Sequence, residues 1–253
     1  MLTQQRKDYI LDILKRDGRI VAKNVAQELA LSEDTIRRDL RDLAKSGLLQ
    51  RVHGGALPAS AATADLSQRQ DISTDEKIAI GKTAAAMVQP GQVVILDGGT
   101  TTTWLARHLP QSLNATIVTH SPAIAMELLN HPHIEVILIG GKFFKHSAVT
   151  VGAAALEALS HIRADTFFMG ATGIHPEVGI TTGDVEEAYM KKMLSQHSGE
   201  TILLASKEKI GVASAYVIMP ANDINAMVVN RATPEDTLQH YRGLNIELTE
   251  SQF

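Results

Sequence analysis

Ser32-Glu33-Asp34-Thr35-Ile36-Arg37-Arg38-Asp39-Leu40-Arg41-Asp42-Leu43 reads as one amphipathic helix, and the rest of the chain is understood outward from it. Ser32 suits the N-cap, where its hydroxyl accepts a bond from one of the helix's orphan N–H groups. Glu33 and Asp34 set negative charge at the positive end of the helix dipole. Ile36, Leu40 and Leu43 recur at i, i+4, i+7 and make one apolar stripe. Arg37, Arg38, Arg41 and Lys45 fall on the opposite half. A helix anchored on one side and cationic on the other fits a DNA major groove, where Arg donates two hydrogen bonds to one guanine edge. Plain solvation produces cationic faces too, so the flanks decide.

Before this helix, Val21 to Leu29 turns Val25, Ala26 and Leu29 to one side, a short helix. Ala30-Leu31 leaves only a tight turn, giving the spacing of a helix-turn-helix. After it, Gly47 stops the helix, and Leu48 to Ala56 alternates and turns like a β-wing that brings Arg51 and His53 to the DNA backbone or minor groove. Upstream, Thr3 to Arg16 is a further helix, capped by Thr3, turning Ile10, Ile13 and Leu14 inward and ending at Asp17-Gly18. Arg19-Ile20-Val21 offers a short strand to the wing. Residues 1–57 thus form a winged helix of a size that folds alone.

Thr35-Ile36-Arg37-Arg38-Asp39-Leu40, then Gly47, then Arg51-Val52-His53-Gly54-Gly55-Ala56, resemble the DeoR family of bacterial transcription regulators. The resemblance implies that double-stranded operator DNA is the partner. Ser32, Thr35, Arg37, Arg38, Arg41, Lys45, Arg51 and His53 are the candidate contacts.

The net charge of -4 seems wrong for a DNA binder until it is divided. Residues 1–57 hold 11 Lys and Arg against 8 Asp and Glu, a net of +3; the remainder holds 13 against 20, a net of -7. The basic balance sits with the helix-turn-helix, so DNA affinity is local and salt-dependent. The 253 residues contain no cysteine, which removes disulfides, thiolate chemistry and cysteine-bound zinc. The N-terminus lacks an apolar signal core, and no uncharged run approaches membrane length. The chain reads as soluble and cytoplasmic.

Pro58 to Ala64 is small, uncharged and without periodicity, a linker, and residues 58–76 run through it into a helix over Ser67 to Val88. That helix reads as an arm between the head and a second domain, residues 77–253. Here short apolar runs alternate with helical stretches. Val93–Leu96, Thr116–Val118, Val136–Ile139, Thr166–Met169, Thr201–Leu204 and Ala226–Val229 suit strands buried on both sides. Thr100–Leu109, Ser121–His131, Ala153–Ser160, Asp184–Gln196 and Pro234–Tyr241 suit helices. The expected fold class is α/β, a mostly parallel sheet covered by helices.

In such folds ligands sit beyond the carboxyl ends of strands. Asp97-Gly98-Gly99-Thr100-Thr101-Thr102-Thr103 stands at one of these ends and opens a helix. Glycines admit an anion close to the backbone, the threonines add hydroxyls, and the new helix aims free N–H groups at the same point. No Gly-Lys-Ser/Thr or Gly-x-Gly-x-x-Gly accompanies it, so neither a Walker loop nor a dinucleotide fold is indicated. Thr119-His120-Ser121, Gly140-Gly141-Lys142, Gly170-Ala171-Thr172-Gly173 and Ser206-Lys207-Glu208-Lys209 follow other strands. They suit a polyhydroxylated anion, although each is also an ordinary tight loop.

The pattern Asp97-Gly98-x-Thr100-Thr101, Val118-Thr119, Gly140-Gly141, Gly152, Asp165-x-Phe167-Phe168-x-Gly170 and Thr181-Thr182-x-Asp184-x-Glu186-Glu187-Ala188 resembles the DeoR sensor domain. That resemblance implies a ribose-5-phosphate-isomerase-like fold binding a phosphorylated, sugar-like effector. The candidate effector residues are Asp97, Gly98, Gly99, Thr100, Thr101, Thr102, Thr119, His120, Gly141, Lys142, Thr172, Gly173, Glu187 and Lys209. Asp97 is expected to accept a sugar hydroxyl, the threonine hydroxyls to take the phosphate, and Lys209 to supply charge. The chain departs from the family pattern at His120, where Asn is frequent, at Ser206-Lys207-Glu208-Lys209, where Asp-Ser-Ser-Lys is common, and at Val229-Asn230, where Thr-Asp is frequent. These departures bear on which sugar is bound.

Isomerases of that fold carry paired aspartates in a Gly-Ala-Asp-Glu-x-Asp loop. Here the loop reads Gly170-Ala171-Thr172-Gly173-Ile174-His175, without the carboxylates a proton shuttle needs. The expectation is a regulator, not an enzyme. Glu187 and Lys191, at i, i+4, read as a solvated helix pair. His131-Pro132-His133 reads as an exposed loop rather than a metal site. Trp104 fits core or pocket wall equally. Aromatics are only 4%, too few for an RNA stacking platform. No cofactor is implied, and usable DNA specificity calls for a homodimer or homotetramer.

Overall fold

The computed structural model describes residues 2–252. The chain opens with α1 (Thr3–Asp17), β1 (Ile20–Val21), α2 (Ala22–Glu28), α3 (Glu33–Lys45), β2 (Leu49–Val52) and β3 (Gly55–Pro58). Thr3 does not cap α1. The N-cap is Leu2, and Thr3 is already helical, while Gly18 closes the helix in the left-handed conformation as expected. Ile10, Leu14, Ile36, Leu40, Leu43 and Leu49 are buried together in a core of the head's own. β1 pairs antiparallel with β3, and β3 with β2, so the short strand does join the wing.

The expected single arm is broken. It forms α4 (Leu66–Arg69) and α5 (Thr74–Ala85), with Ser73 between them in the left-handed region at φ 50°. Asp71, Ile72 and Ser73 are weak helix formers. Thr74-Asp75-Glu76 starts afresh with acids in its first turn, where the helix dipole favours them. Residues 59–65 are not loose either: Ser60 and Ala62 are buried, and the Ser60 hydroxyl donates to the Thr172 carbonyl.

The second domain then runs β4 (Val93–Leu96), α6 (Thr100–His108), β5 (Ala115–Thr119), α7 (Pro122–Glu127), β6 (Ile134–Leu138), β7 (Lys142–Phe144) and β8 (Val149–Val151). Next come α8 (Ala153–Leu159), β9 (Ala164–Gly170), β10 (Gly173–His175), β11 (Gly179–Thr182), α9 (Val185–Gln196) and β12 (Ser198–Ala205). It closes with β13 (Tyr216–Met219), β14 (Ala226–Val229), α10 (Glu235–Arg242) and β15 (Glu247–Glu250). Seven strands form one sheet in the order β15-β14-β12-β9-β4-β5-β6. Every neighbouring pair in it is parallel. All six runs expected as strands lie in this sheet. Ile80, Leu105 and Ile124 cover one face. Ala155, Leu159, Met190, Leu194 and Tyr241 cover the other. The chain lays β4, β5 and β6 outward in one direction and then returns to place β9 on the far side of β4. The β4/β9 junction is therefore the point where strand order reverses, the place such sheets keep for a ligand.

One of the six strands departs from expectation. β6 is the sheet's outer edge, and Ile137 and Leu138 are 39% and 48% exposed rather than buried on both sides. An uninterrupted apolar run reads the same whether or not a neighbour covers it.

Candidate functional site

In the head, the Ser32 hydroxyl caps α3 by accepting from Thr35 N at 3.2 Å, as its sequence position requires. Ile36, Leu40 and Leu43 are buried, and Arg37, Arg38, Arg41, Lys45, Arg51 and His53 are all exposed. Arg37 is held by Glu33 at 2.8 Å, whereas Arg38 has no side-chain partner among the described residues. Arg37 shares a groove between α3 and the wing with Arg51 and His53. The structure adds a residue that sequence reading passed over. Asp39, on the inward side of the cationic helix, is buried and accepts both a 2.5 Å and a 3.0 Å bond from Arg6 of α1. This fork clamps α3 onto α1 and fixes the face that the cations present.

In the second domain the Asp97 turn stands at the β4/β9 junction. A side chain on Gly98 would strike Val149, and Gly99 holds φ 140°, so this turn is built for glycine. A pocket opens above it, lined from the turn by Gly98, Gly99, Thr100, Thr101 and Thr102, and from β9 onward by Gly170, Ala171 and Thr172. Glu187 and Lys191 of α9 and Glu208 and Lys209 beyond β12 complete the far wall, with Ala62, Arg69, Ile72 and Lys77 over the top. The pocket therefore gathers eight of the expected effector residues: Gly98, Gly99, Thr100, Thr101, Thr102, Thr172, Glu187 and Lys209.

Six others lie elsewhere. Asp97 is wholly buried behind the wall and accepts from Gly98 N, Gly170 N, His120 Nε2 and Lys191 Nζ at 2.5–2.9 Å. Both its oxygens are occupied, so it is not placed to accept a sugar hydroxyl; it fixes Lys191 instead. His120 is buried between Asp97 and the Thr150 carbonyl. Thr119 Oγ1 is bonded to the Leu96 carbonyl, and Gly173 packs on the Val212 backbone. Gly141 and Lys142 lie at the exposed β7 hairpin, outside the pocket lining. The Thr102 hydroxyl donates back to Gly99 O at 2.9 Å and so has no proton left for a phosphate. The hydroxyl of Thr101 meets Lys209 Nζ at 3.2 Å.

Glu187 and Lys191 are not a solvated pair. Both are buried; Glu187 accepts from Ser147 at 3.1 Å, and Lys191 reaches Asp97 at 2.5 Å. Burial pushes the Asp97 carboxyl up, but Lys191 and His120 outweigh it and hold it at about 2. Burial lowers the Lys209 ammonium to about 8, with Lys77, Arg69 and Lys191 adding repulsion against the pull of Glu208. Arg69 and Lys77, which sequence reading left out, come from the broken arm. Lys77 is buried, donates to the Arg69 carbonyl at 2.7 Å and lies 3.7 Å from Glu208. Four cations thus face three carboxylates, Asp97 included, around the start of α6. The enclosure is net positive where free helix N–H groups already favour an anion.

The remaining candidates settle simply. Trp104 lies on α6 outside the pocket lining, with the Arg107 guanidinium 4.8 Å over its ring. His131 is buried rather than exposed, bonded to the Leu109 carbonyl at 3.2 Å. Its residue Leu128 packs inward just before it and draws the turn under the surface. No group of three His, Cys, Asp or Glu suited to a metal ion occurs among the described residues. No helix among them is long and apolar enough to cross a membrane.

A winged helix with a cationic recognition face, joined to an α/β domain with a cationic pocket at its switch point, defines a DNA-binding regulator with a sensor module. Residues 6–62 match the DeoR-like helix-turn-helix domain, and residues 72–231 match the DeoR C terminal sensor domain. The chain belongs to the DeoR family: it is a sequence-specific DNA-binding transcriptional regulator and not an enzyme. It is 31% identical to the HTH-type transcriptional regulator GlpR of Haloferax volcanii, over 99% of this chain and 98% of that one. It is 33% identical to the HTH-type transcriptional repressor GlcR of Bacillus subtilis, over 91% and 90%. The glycerol-3-phosphate regulon repressor of Escherichia coli is 27% identical over 98% and 99%. The solved ribose 5-phosphate isomerase A of Methanocaldococcus jannaschii aligns over 54% of each chain at 18% identity and TM-score 0.41.

Proposed function

We propose that the chain is a cytoplasmic, homo-oligomeric repressor of a carbohydrate-related operon, and that a phosphorylated, sugar-like metabolite in the β4/β9 pocket controls its hold on the operator. Residues 1–57 bind DNA, 58–76 connect, and 77–253 sense the effector. α3 contributes Ser32, Thr35, Arg37, Arg38, Arg41 and Lys45 to the operator, and the wing contributes Arg51 and His53. Of the features supporting the effector, one carries the reading: a net-positive enclosure formed where a glycine turn opens α6. A phosphate ester, carrying close to two negative charges at neutral pH, matches it. Glu208 Oε2 is buried in the lining and lacks a hydrogen-bond partner among the described residues, so it offers an acceptor for a sugar hydroxyl. The glycerol-3-phosphate regulon repressor among its relatives fits the same class by name.

Calorimetric titration of a panel of sugar phosphates and their unphosphorylated parents tests this, with operator binding followed in parallel. Only phosphorylated members should bind and weaken the operator complex. By linkage, operator must weaken effector binding by the same factor, commonly worth about 1–3 kcal/mol. Thr101→Asp sets a carboxylate beside Lys209 in the anion's place, so it should abolish the response and spare effector-free operator binding. Equal binding of phosphorylated and parent sugars would sink the reading.

A further inference from the structure

Arg69 sits on α4, in the segment that leaves the wing at Pro58 and reaches the sensor at α5, and its side chain lines the effector pocket. Its Nε is buried without a hydrogen-bond partner among the described residues. Among the described residues its side chain makes one bond, a long 3.4 Å contact with Ser147 Oγ, and has no carboxylate within ion-pair distance. A guanidinium has five donors and does not shed its charge, so this one is left with donors that only an incoming acceptor satisfies. The other pocket cations each have internal partners, though Lys209 keeps its charge. Asp97 neutralises Lys191, Lys209 donates to Thr101 and to the Leu204 carbonyl, and Lys77 is spent on the Arg69 carbonyl.

The segment carrying Arg69 is lightly held. Between residues 59 and 73 only Ser60 and Ala62 are buried, and its larger apolar side chains, Leu66 and Ile72, are only half-buried. Its first residues are fixed by the Ser60 hydroxyl on the Thr172 carbonyl and by a backbone bridge from Ala59 to Ala213. Beyond them the ties are few and polar: Leu66 N to the His146 carbonyl at 2.9 Å, His146 to the Thr63 carbonyl at 3.1 Å, and Lys77 to Arg69. Segments of this kind open at low cost.

We infer that Arg69 is the effector's anion ligand contributed by the connecting segment, so that an occupied pocket fastens this strap to the sensor. A guanidinium fork meets a phosphate through two parallel bonds, which fixes direction as well as distance. Pocket occupancy is thereby written into the path of the chain that carries the DNA head, a contact through which the effector biases the head's position. This inference rests on reading the pocket as a phosphate site.

The test uses the full chain with inorganic phosphate as probe, reading affinity by calorimetry and strap order by amide hydrogen exchange over residues 60–73. Wild-type protein should bind phosphate saturably and show slower exchange in the strap when it does. Arg69→Ala should bind about tenfold more weakly or worse, and lose the phosphate-dependent protection. Its operator binding without phosphate should be unchanged. Arg69→Gln, closer in shape, replaces it should the Ala variant fail to fold. A wild type that binds no phosphate overturns the pocket reading, and this inference falls with it. A wild type that binds, beside Arg69 variants with equal affinity and equal protection, leaves the pocket standing and overturns the role of Arg69.

Discussion

Lys209 is the pocket cation whose charge is most conditional, because burial brings its ammonium down to about 8. A bound dianion favours the protonated form, so effector affinity should hold below pH 8 and fall above it, by up to about tenfold per further pH unit. Lys209→Arg, which stays charged throughout, should flatten that profile in calorimetry from pH 7 to 9. Stability runs the opposite way. The folded value lies below the unfolded 10.5, so the penalty of a buried ammonium is present below about 8 and is relieved as pH rises toward 10.5. Asp97 shows the reverse sign. Held at about 2 against an ordinary 3.8, it contributes stability that is present above about pH 4 and lost as pH falls toward 2. Asp97→Asn would leave Lys191 buried without its counter-charge, and should cost about 3–5 kcal/mol in denaturant unfolding at pH 7. A loss under 1 kcal/mol would mean that His120 and Lys191 do not depend on it. Residue identity alone did not reveal this role. An Asp after a strand looks the same in sequence whether it faces a ligand or turns back to hold a lysine from a helix 94 positions away.

Among the elements, those whose periodicity comes from a single buried face were legible. α3 is the clearest case: Ile36, Leu40 and Leu43 gave its orientation, and hence the exposure of Arg37 and Arg38. Arg38, without an internal partner, should contribute most to base reading, and Arg37 must first loosen from Glu33. Arg38→Ala should cost about 1–3 kcal/mol at the operator and relax preference at one position. Lys45→Ala, near the end of α3, should weaken all duplexes alike and flatten the salt slope. If Arg38→Ala kept wild-type affinity across a salt titration, the base-reading role would pass to other residues. The strap and the small sheets were not legible, for a shared reason. α4 is four residues long, β7, β8 and β10 are three each, and none repeats often enough to show a period. Their order comes from tertiary contacts, as in the Leu66 bond to His146, which joins residues 80 positions apart. Arg69 belongs to that illegible part, while Lys77 lies on the legible α5; both stand well before the glycine turn beside which they line the pocket.

For the molecule as a whole, one winged helix reads a short site, and specificity on DNA comes from two heads on symmetric half-sites. The sheet has an open edge that such symmetry would use. β6 pairs with β5 on one side only, and its other edge carries unpaired backbone groups, an arrangement that invites another strand. In the elements that flank β6 in sequence, large apolar side chains are exposed: Met126 and Leu129 at the end of α7, Leu138 on β6 itself, and Phe143 on β7, each between 48% and 69%. An exposed apolar residue on an unpaired edge strand marks a candidate association surface. Two copies related by a two-fold axis would meet through the same edge, each covering the other's Leu138 and Phe143. We therefore expect at least a dimer in sedimentation, both free and on the operator. Leu138→Lys with Phe143→Lys should leave folded monomers, since neither residue is in a core. Their operator affinity should drop by about 10²-fold or more, because two linked heads gain effective concentration that single heads lack. Effector binding should persist in those monomers, the pocket being lined without residues of β6 or β7. A wild type that sediments as a monomer in both states would remove the need for a partner, and a double variant that stays dimeric would move the interface away from β6.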